Sequence, residues 1–449
     1  MKKKILYVYS IGGPPLDYFY PKMVERASVH TCIVSPVSAY NRKIIERYSD
    51  HVEDFSGLSA DVAMERVYAY ARKISPDALF SFAEFLLNSV SNMAESLGLR
   101  GVGSNVMLAR NKILMRQRWA TAGIPQPLFC PIRSLDDLPG TRQLRLPFLI
   151  KLAYGAGSIA QQIIRQHDES ESAVMRMLDL TEVTRQQGDH EFSESQGFPQ
   201  LIAEEIIEST TDSWYEEEGY GDYLSVEGLV RDGQYYPIAM TSRLRTIEPF
   251  TELGNVAPCV LDSEKKQRIV QWVSRSIDAL GLQNCATHTE LKLMANGEVS
   301  FLETAARMGG VAIAKELDEV FGVDYVGLFL DVILGNECEI PGFEETPPRC
   351  AAASIALIGC DSLGTQWTSS RVFEPSQVDW KALTGHETSV NVELAQSISP
   401  GAPFPPYDLS GGVLNYAGQA FLISTNASTL KASAYKLLDG LEQQLPESV

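Results

Sequence analysis

This chain has no CxxC pair, no histidines at metal-ligand spacing and no apolar run of the roughly 18 residues that a membrane helix needs. The seven cysteines are scattered, which argues against a disulfide framework and for reduced thiols in a cytoplasmic protein. Positive charge is scarce: 38 Lys and Arg stand against 57 Asp and Glu, a net of −19. That balance excludes a nucleic-acid partner, because phosphate backbones are gripped by clustered cations. A single nucleotide remains open, since one or two lysines and a metal can hold it. The opening MKKKILYVYSIGG lacks the apolar core of a signal peptide and reads as a short buried strand. No membrane partner is expected.

What is present is an ordinary globular composition, 45% apolar and 21% charged over 449 residues, enough for roughly two to four packed units. Strands alternate with helical patterns at the start. ILYVYS is followed by the turn Gly12-Gly13, then a helix, a second strand at 31–35, a helix AMERVYAYARKI, and a third strand at 78–83. Such alternation predicts a parallel sheet with ligands beyond the carboxyl ends of its strands, where Glu84 lies. Asn111–Pro127 predicts a helix closed by Gly123 and proline. The 144–165 stretch predicts strand, glycine loop, strand, and DYLSVEGLVRDGQYYPIAMTSR predicts a hairpin on an Asp-Gly turn. The regions 179–200 and 214–223 read as loops or lids. From about Pro341 the chain leans to β structure and ends in a helix over 426–444.

Three constellations carry chemistry. The first is Lys151 followed by YGAGSIA (154–160), a glycine loop whose backbone N–H groups could cradle phosphate; a plain hairpin turn is the alternative. The second is AEEIIE (203–208), in which Glu204 could accept from an adenine amino group; a solvated edge strand is the alternative. The third is Glu290 and Glu303, on strands joined by the Ala-Asn-Gly turn at 295–297. Counting outward from the turn places the two carboxylates near each other. Adjacent carboxylates repel unless a cation lies between them, and hard oxygen ligands suit Mg²⁺. Arg307 could then stabilise a developing oxyanion. The alternative pairs these glutamates with Lys292 and Arg307 as ordinary ion pairs. His288 is near Glu290 or opposed to it according to register.

The order of these elements resembles the ATP-grasp superfamily over roughly residues 1–345. Within it the chain most resembles carboxylate–amine ligases of the bacilysin-synthetase type, the L-amino acid ligases. The resemblance implies an α/β and α+β fold: a doubly wound parallel-sheet domain, a small central lid and a larger α+β domain. The implied divisions are 1–110 (N-terminal α/β), 111–143 (helical linker), 144–208 (lid), 209–345 (catalytic subdomain) and 346–449 (β-rich extension with a final helix).

It also implies residue roles. Lys112, Lys151 and Ser158 would contact ATP phosphates. Glu204, Glu205 and Ile207 would bracket the adenine. Glu290 and Glu303 would bind two Mg²⁺ ions, for which Mn²⁺ could substitute, and Arg307 would act in catalysis with Lys151. Glu84, Asn255, His288, Arg307, Gly309 and Gly310 would face the amino-acid substrates. Many superfamily members read Glu-x-Asn-x-Arg where this chain reads Glu303-Thr304-Ala305-Ala306-Arg307. Ala305 offers no ligand atom, so water, a bidentate Glu303 or a weaker second metal must account for that position.

The implied reaction activates one amino acid as an acyl phosphate and ligates it to the amine of another. A different ATP-grasp ligase or carboxylase, or a non-catalytic nucleotide-binding module, is the competing expectation. Self-association as a homodimer stays open.

Overall fold

The computed structural model describes residues 2–155, 157, 161–186, 200–409 and 411–448. The chain opens with a four-stranded parallel sheet of β1 (Lys4–Tyr9), β2 (Ser28–Ile33), β3 (His51–Asp54) and β4 (Ala78–Phe80), in the order β3-β2-β1-β4. Alternate residues of β1 point to opposite faces. Ile5 and Tyr7 join a core with helix Leu16–Arg26, while Leu6 and Val8 join one with helix Ala60–Ile74. Burial on both faces explains the unbroken apolar run of β1. The third strand in chain order is β3, which the sequence pattern does not announce. Its residues HVED are partly or fully exposed at the sheet edge, so they lack an apolar signature. β4 ends at Phe80, and Glu84 begins a 3₁₀ turn just past its carboxyl end.

Helix Lys112–Ala122 follows, capped by the Asn111 side chain at its start and by Gly123 (φ 66°) at its end. Trp119 anchors it: the ring is fully buried, edge-on to Phe301 at 5.5 Å, and its Nε1 donates to the Ser276 carbonyl at 3.2 Å. Truncating such a ring costs about 3–5 kcal/mol.

A second sheet comprises β5 (Phe129–Ile132), β6 (Phe148–Leu152), β7 (Gln162–Ile164) and β8 (Leu201–Glu205), antiparallel in the order β5-β8-β6-β7. β5 lies within the stretch expected as a helical linker, yet it pairs with β8 and so belongs to this sheet. Residues 170–186 form a helix, so the start of the loop expected over 179–200 is helical; 187–199 lie outside the described residues.

The third sheet has eight strands: β9 (Tyr220–Arg231), β10 (Gln234–Leu244), β11 (Gly254–Ala257), β12 (Cys285–Leu293), β13 (Val299–Ala305), β14 (Ala351–Ile358), β15 (Thr388–Val392) and β16 (Tyr416–Ser424). Their order is β13-β12-β9-β10-β11-β14-β16-β15. Asp232 and Gly233, both at positive φ, make the β9–β10 turn. β14 to β16 continue this sheet instead of forming a separate layer, so the 346–449 stretch shares it with the preceding strands. Helices Ile313–Phe321 and Tyr325–Leu334 cover one face, and helices Ser263–Leu280 and Ala427–Gln444 cover the other. Among the described residues no helix is long and apolar enough to cross a membrane.

Candidate active site

A cleft of about 280 Å³ opens between the second and third sheets, lined by Lys112, Lys151, Glu204 to Ile207, Glu252, Glu290 and Glu303 among others. The hairpin geometry decides its floor. Asn296 (φ 58°) and Gly297 (φ 73°) reverse the chain, and the register sets Glu290 directly opposite Glu303. A bulge follows at Glu290/Leu291.

The neighbours of this carboxylate pair are not the ones ordinary ion pairing suggested. Lys292 turns to Asp222 at 2.6 Å, and Arg307 turns to Glu84. Glu303 instead meets Lys112 at 2.8 Å, and Glu290 meets Arg243 at 3.4 Å and His288 Nε2 at 3.3 Å. Burial pushes the Glu290 carboxyl up, but the His288 hydrogen bond and the charges of His288 and Arg243 outweigh it and hold the group at about 2. The carboxylate is therefore ionised at neutral pH.

Among the described residues no group of three or more His, Cys, Asp or Glu has metal-site geometry. Two facing carboxylates at the edge of a phosphate-sized cleft still suit Mg²⁺, which keeps waters and phosphate oxygens in the rest of its shell. Ala305 pairs across the strands with His288. The polar neighbour of Glu290 is thus an imidazole two residues before it on β12, across from Ala305 on β13. Burial would lower the His288 pKa, but the buried Glu227, 2.6 Å from Nδ1, and Glu290 raise it to about 9.

The cationic wall comes from the helix and β6. Lys112 Nζ donates to the Gly155 carbonyl at 2.6 Å while it pairs with Glu303, so it joins the glycine loop to the carboxylates. Lys151 is 2.6 Å from Glu204 Oε2, and Arg116 Nε is 2.6 Å from Glu204 Oε1. Arg116 is absent from the sequence-based expectations. Its position one helical turn after Lys112, on the same face, was the available signal. Each Glu204 oxygen therefore meets one cation, and the carboxylate holds Lys151 and Arg116 together at the cleft wall. Burial pushes Glu204 up, but Arg116 and Lys151 hold it at about 2.

Glu205, on the opposite side of the strand, also lines the cleft. Its carboxylate binds the Arg145 backbone and guanidinium at 3.0 and 3.2 Å. Ile206 and Ile207 continue the cleft lining past β8. Ser158 and most of the glycine loop lie outside the described residues.

Glu84, Asn255, His288, Arg307, Gly309 and Gly310 lie beyond the cleft's lining. Glu84 stands between two guanidinium groups. It pairs with Arg307 and lies 3.3 Å from Arg110, whose Nη2 donates to the Tyr154 carbonyl at 2.5 Å. Burial pushes Glu84 up, and the two guanidinium groups pull it below the ordinary carboxylate value. It acts on Arg307, whose Nη1 also donates to the Met308 carbonyl at 2.7 Å. Asn255 is buried between Arg243 and Ser354 across the paired strands.

Gly309 does allow a close approach, but to protein. An added Cβ would sit 2.8 Å from His288 Nδ1 and 2.7 Å from Ile313 Cδ1, whereas Gly310 faces open space. Glu252 is a further carboxylate on the cleft wall that sequence reasoning passed over, although it stands in the same TELGNVAP run as Asn255. Burial and then the Glu290 charge raise its pKa.

The ATP-grasp domain profile matches residues 144–315. The chain is 31% identical over 391 residues to an alanine–anticapsin ligase of Bacillus subtilis, covering 79% of this chain and 80% of that protein. It is 23% identical over 387 residues to an L-arginine-specific L-amino acid ligase of Bacillus subtilis, covering 85% of each. Its fold matches the crystal structure of an L-amino acid ligase from Bacillus licheniformis with a TM-score of 0.74, at 20% identity, over 99% of this chain and 98% of that one.

Proposed function

The chain belongs to the ATP-grasp family, among its carboxylate–amine ligases, and from that premise we propose that it joins the carboxylate of one L-amino acid to the amine of another, yielding a dipeptide, ADP and phosphate. The supporting observation is Glu290 set opposite Glu303 at the cleft edge, with Lys112 bridging Glu303 to the glycine loop.

ATP and Mg²⁺ are the required small molecules. Glu290 and Glu303 are the residues we assign to the metal, as two ions with Mn²⁺ able to substitute. A bound metal would neutralise phosphate charge during the transfer. Lys112 and Lys151 present ammonium groups from the opposite wall of the cleft. Glu204 and Arg116 fix Lys151, and the 204–207 main chain with Ile207 forms the base-binding edge.

The carboxylate of the first amino acid attacks the γ-phosphorus, releasing ADP and leaving an acyl phosphate. The amine of the second attacks the acyl carbon, and phosphate leaves with one of the original carboxylate oxygens. We assign Arg307, which pairs with Glu84, to counter the charge on the carbonyl oxygen during that attack. We assign His288, Asn255 and the Gly309-Gly310 turn to the ground around the amino-acid substrates. The reaction requires no nucleic-acid or membrane partner. Seven free thiols and the use of ATP support a cytoplasmic enzyme; self-association as a homodimer stays open.

The test is purified protein with Mg·ATP and pairs of the twenty amino acids, following phosphate release and product mass. The reading holds if a pair raises phosphate release and yields a mass equal to the two amino acids less water. It fails for these substrates if no pair exceeds the ATP-only rate.

A further inference from the structure

The 3₁₀ turn Leu394–Gln396 lies outside the 144–315 stretch matched by the domain profile, yet it reaches the loop that follows Arg307. Gln396 Nε2 donates to the Val311 carbonyl at 3.1 Å and to the Gly13 carbonyl at 2.9 Å. One amide group thus joins three parts of the chain. The first is the glycine turn at the carboxyl end of β1, the second the arginine loop, and the third the C-terminal stretch itself.

Both acceptors sit on backbone that needs support. Val311 is β-branched and holds φ 52°, a region such residues rarely occupy unless surrounding contacts fix them. Gly13 holds φ 83° and lies against Phe82 so closely that a Cβ would be 2.3 Å from the Phe82 Cβ.

The turn carrying Gln396 is itself secured on both sides. Glu393, 3% exposed, pairs with Lys315 at 2.6 Å, just past the arginine loop. The buried Asn41 donates to the Ala395 carbonyl at 2.9 Å, which ties the turn to the N-terminal domain. The half-buried Glu393–Lys315 pair and the Asn41 bond brace the turn independently of Gln396. Removing the Gln396 donor therefore loosens the two acceptor loops without releasing the turn.

We propose that Gln396 is a positioning residue for ligation: it clasps the Val311 loop to the Gly13 turn and so sets where Arg307 stands when the amine attacks. The inference rests on the ligase reading. Neither Gly13 nor Val311 lines the cleft, so a loosened clasp leaves the groups that serve phosphoryl transfer in place. It slows amine attack, so water consumes more of the activated acid.

The test compares Gln396→Glu, which keeps the shape but removes the donor at neutral pH, with Gln396→Lys, which restores a donor able to reach two carbonyls. The first readout is backbone hydrogen exchange in peptides spanning 10–14 and 307–313, which needs no substrate. Faster exchange in both peptides for Gln396→Glu, reversed in Gln396→Lys, supports the clasp; unchanged exchange overturns it, whatever the enzyme makes.

The second readout is phosphate released per dipeptide formed. It should rise at least about threefold in Gln396→Glu, with the KM for ATP within about twofold of the parent, and fall back in Gln396→Lys. An equal loss in every kinetic parameter, or an unchanged ratio, overturns the positioning role. A parent enzyme that makes no dipeptide defeats the ligase reading instead, and the exchange result still decides the clasp.

Discussion

Replacing Glu204 by glutamine removes the single anion between two buried cations. Arg116 is 1% exposed and Lys151 9% exposed, and each stands 2.6 Å from one Glu204 oxygen. Removing one partner of such a buried arrangement costs about 3–5 kcal/mol, because the remaining charges are left uncompensated. Spread over a unit of 150–250 residues, that corresponds to a fall in melting temperature on the order of 10 °C. Replacing the whole triad by apolar residues of similar volume should cost much less, since the desolvation penalty disappears with the charges. Glu204→Leu with Arg116→Met and Lys151→Met should therefore be more stable than Glu204→Gln alone, although unable to use ATP.

The same carboxylate sets an acid limit. Its folded pKa of about 2 lies below the ordinary 4.5, so its stabilisation is complete above 4.5 and is lost as pH falls from there towards 2. Thermal scans at pH 7 and at intervals down to pH 3 provide the assay. A Glu204→Gln variant that melts within about 2 °C of the parent at pH 7, or that keeps the parent's acid slope, refutes the reasoning.

Glu303→Ala should abolish turnover while the fold survives, since the lost carboxylate stands on the cleft wall and not in the core; a rate within a few-fold of the parent in a steady-state assay rejects the metal assignment. Arg307→Met should lower kcat for ligation by about 10²–10³ while the KM for ATP holds, because the guanidinium is assigned to the acyl step. An unchanged kcat removes Arg307 from the chemistry. Gly309→Ala should lower the melting temperature and raise amino-acid KM values, since its methyl would lie 2.8 Å from His288 Nδ1. Parent-like melting and KM values would mean that the loop has room to yield.

Local grammar carried much of this site. The Ala-Asn-Gly turn specifies a tight hairpin, so Glu290 near Glu303 was legible from counting, whereas the bulge after Glu290 that sets the two directly opposite was not. Helix Lys112–Ala122 was legible from its Gly123 stop, while the Asn111 cap shows only in the structure. Partners set by tertiary approach were not. Nothing near Glu84 in the chain announces Arg307 or Arg110, and nothing near Glu204 announces Arg116; those contacts exist because separate sheets meet around the cleft. β3 escaped because edge strands need no apolar pattern, and β5 because a short strand beside prolines carries little signal. The shared sheet of β9 to β16 depends on β11 pairing with β14 across long sequence separation, which periodicity cannot report.

The central claim is activation of a carboxylate by phosphoryl transfer followed by attack of an amine. It is tested most directly with the first amino acid carrying ¹⁸O in both carboxylate positions, using a pair that supports turnover. Mass spectrometry of the released phosphate reads the outcome. The account predicts one ¹⁸O in each phosphate and one retained in the dipeptide carbonyl. Phosphate free of label, formed in step with dipeptide, would contradict it.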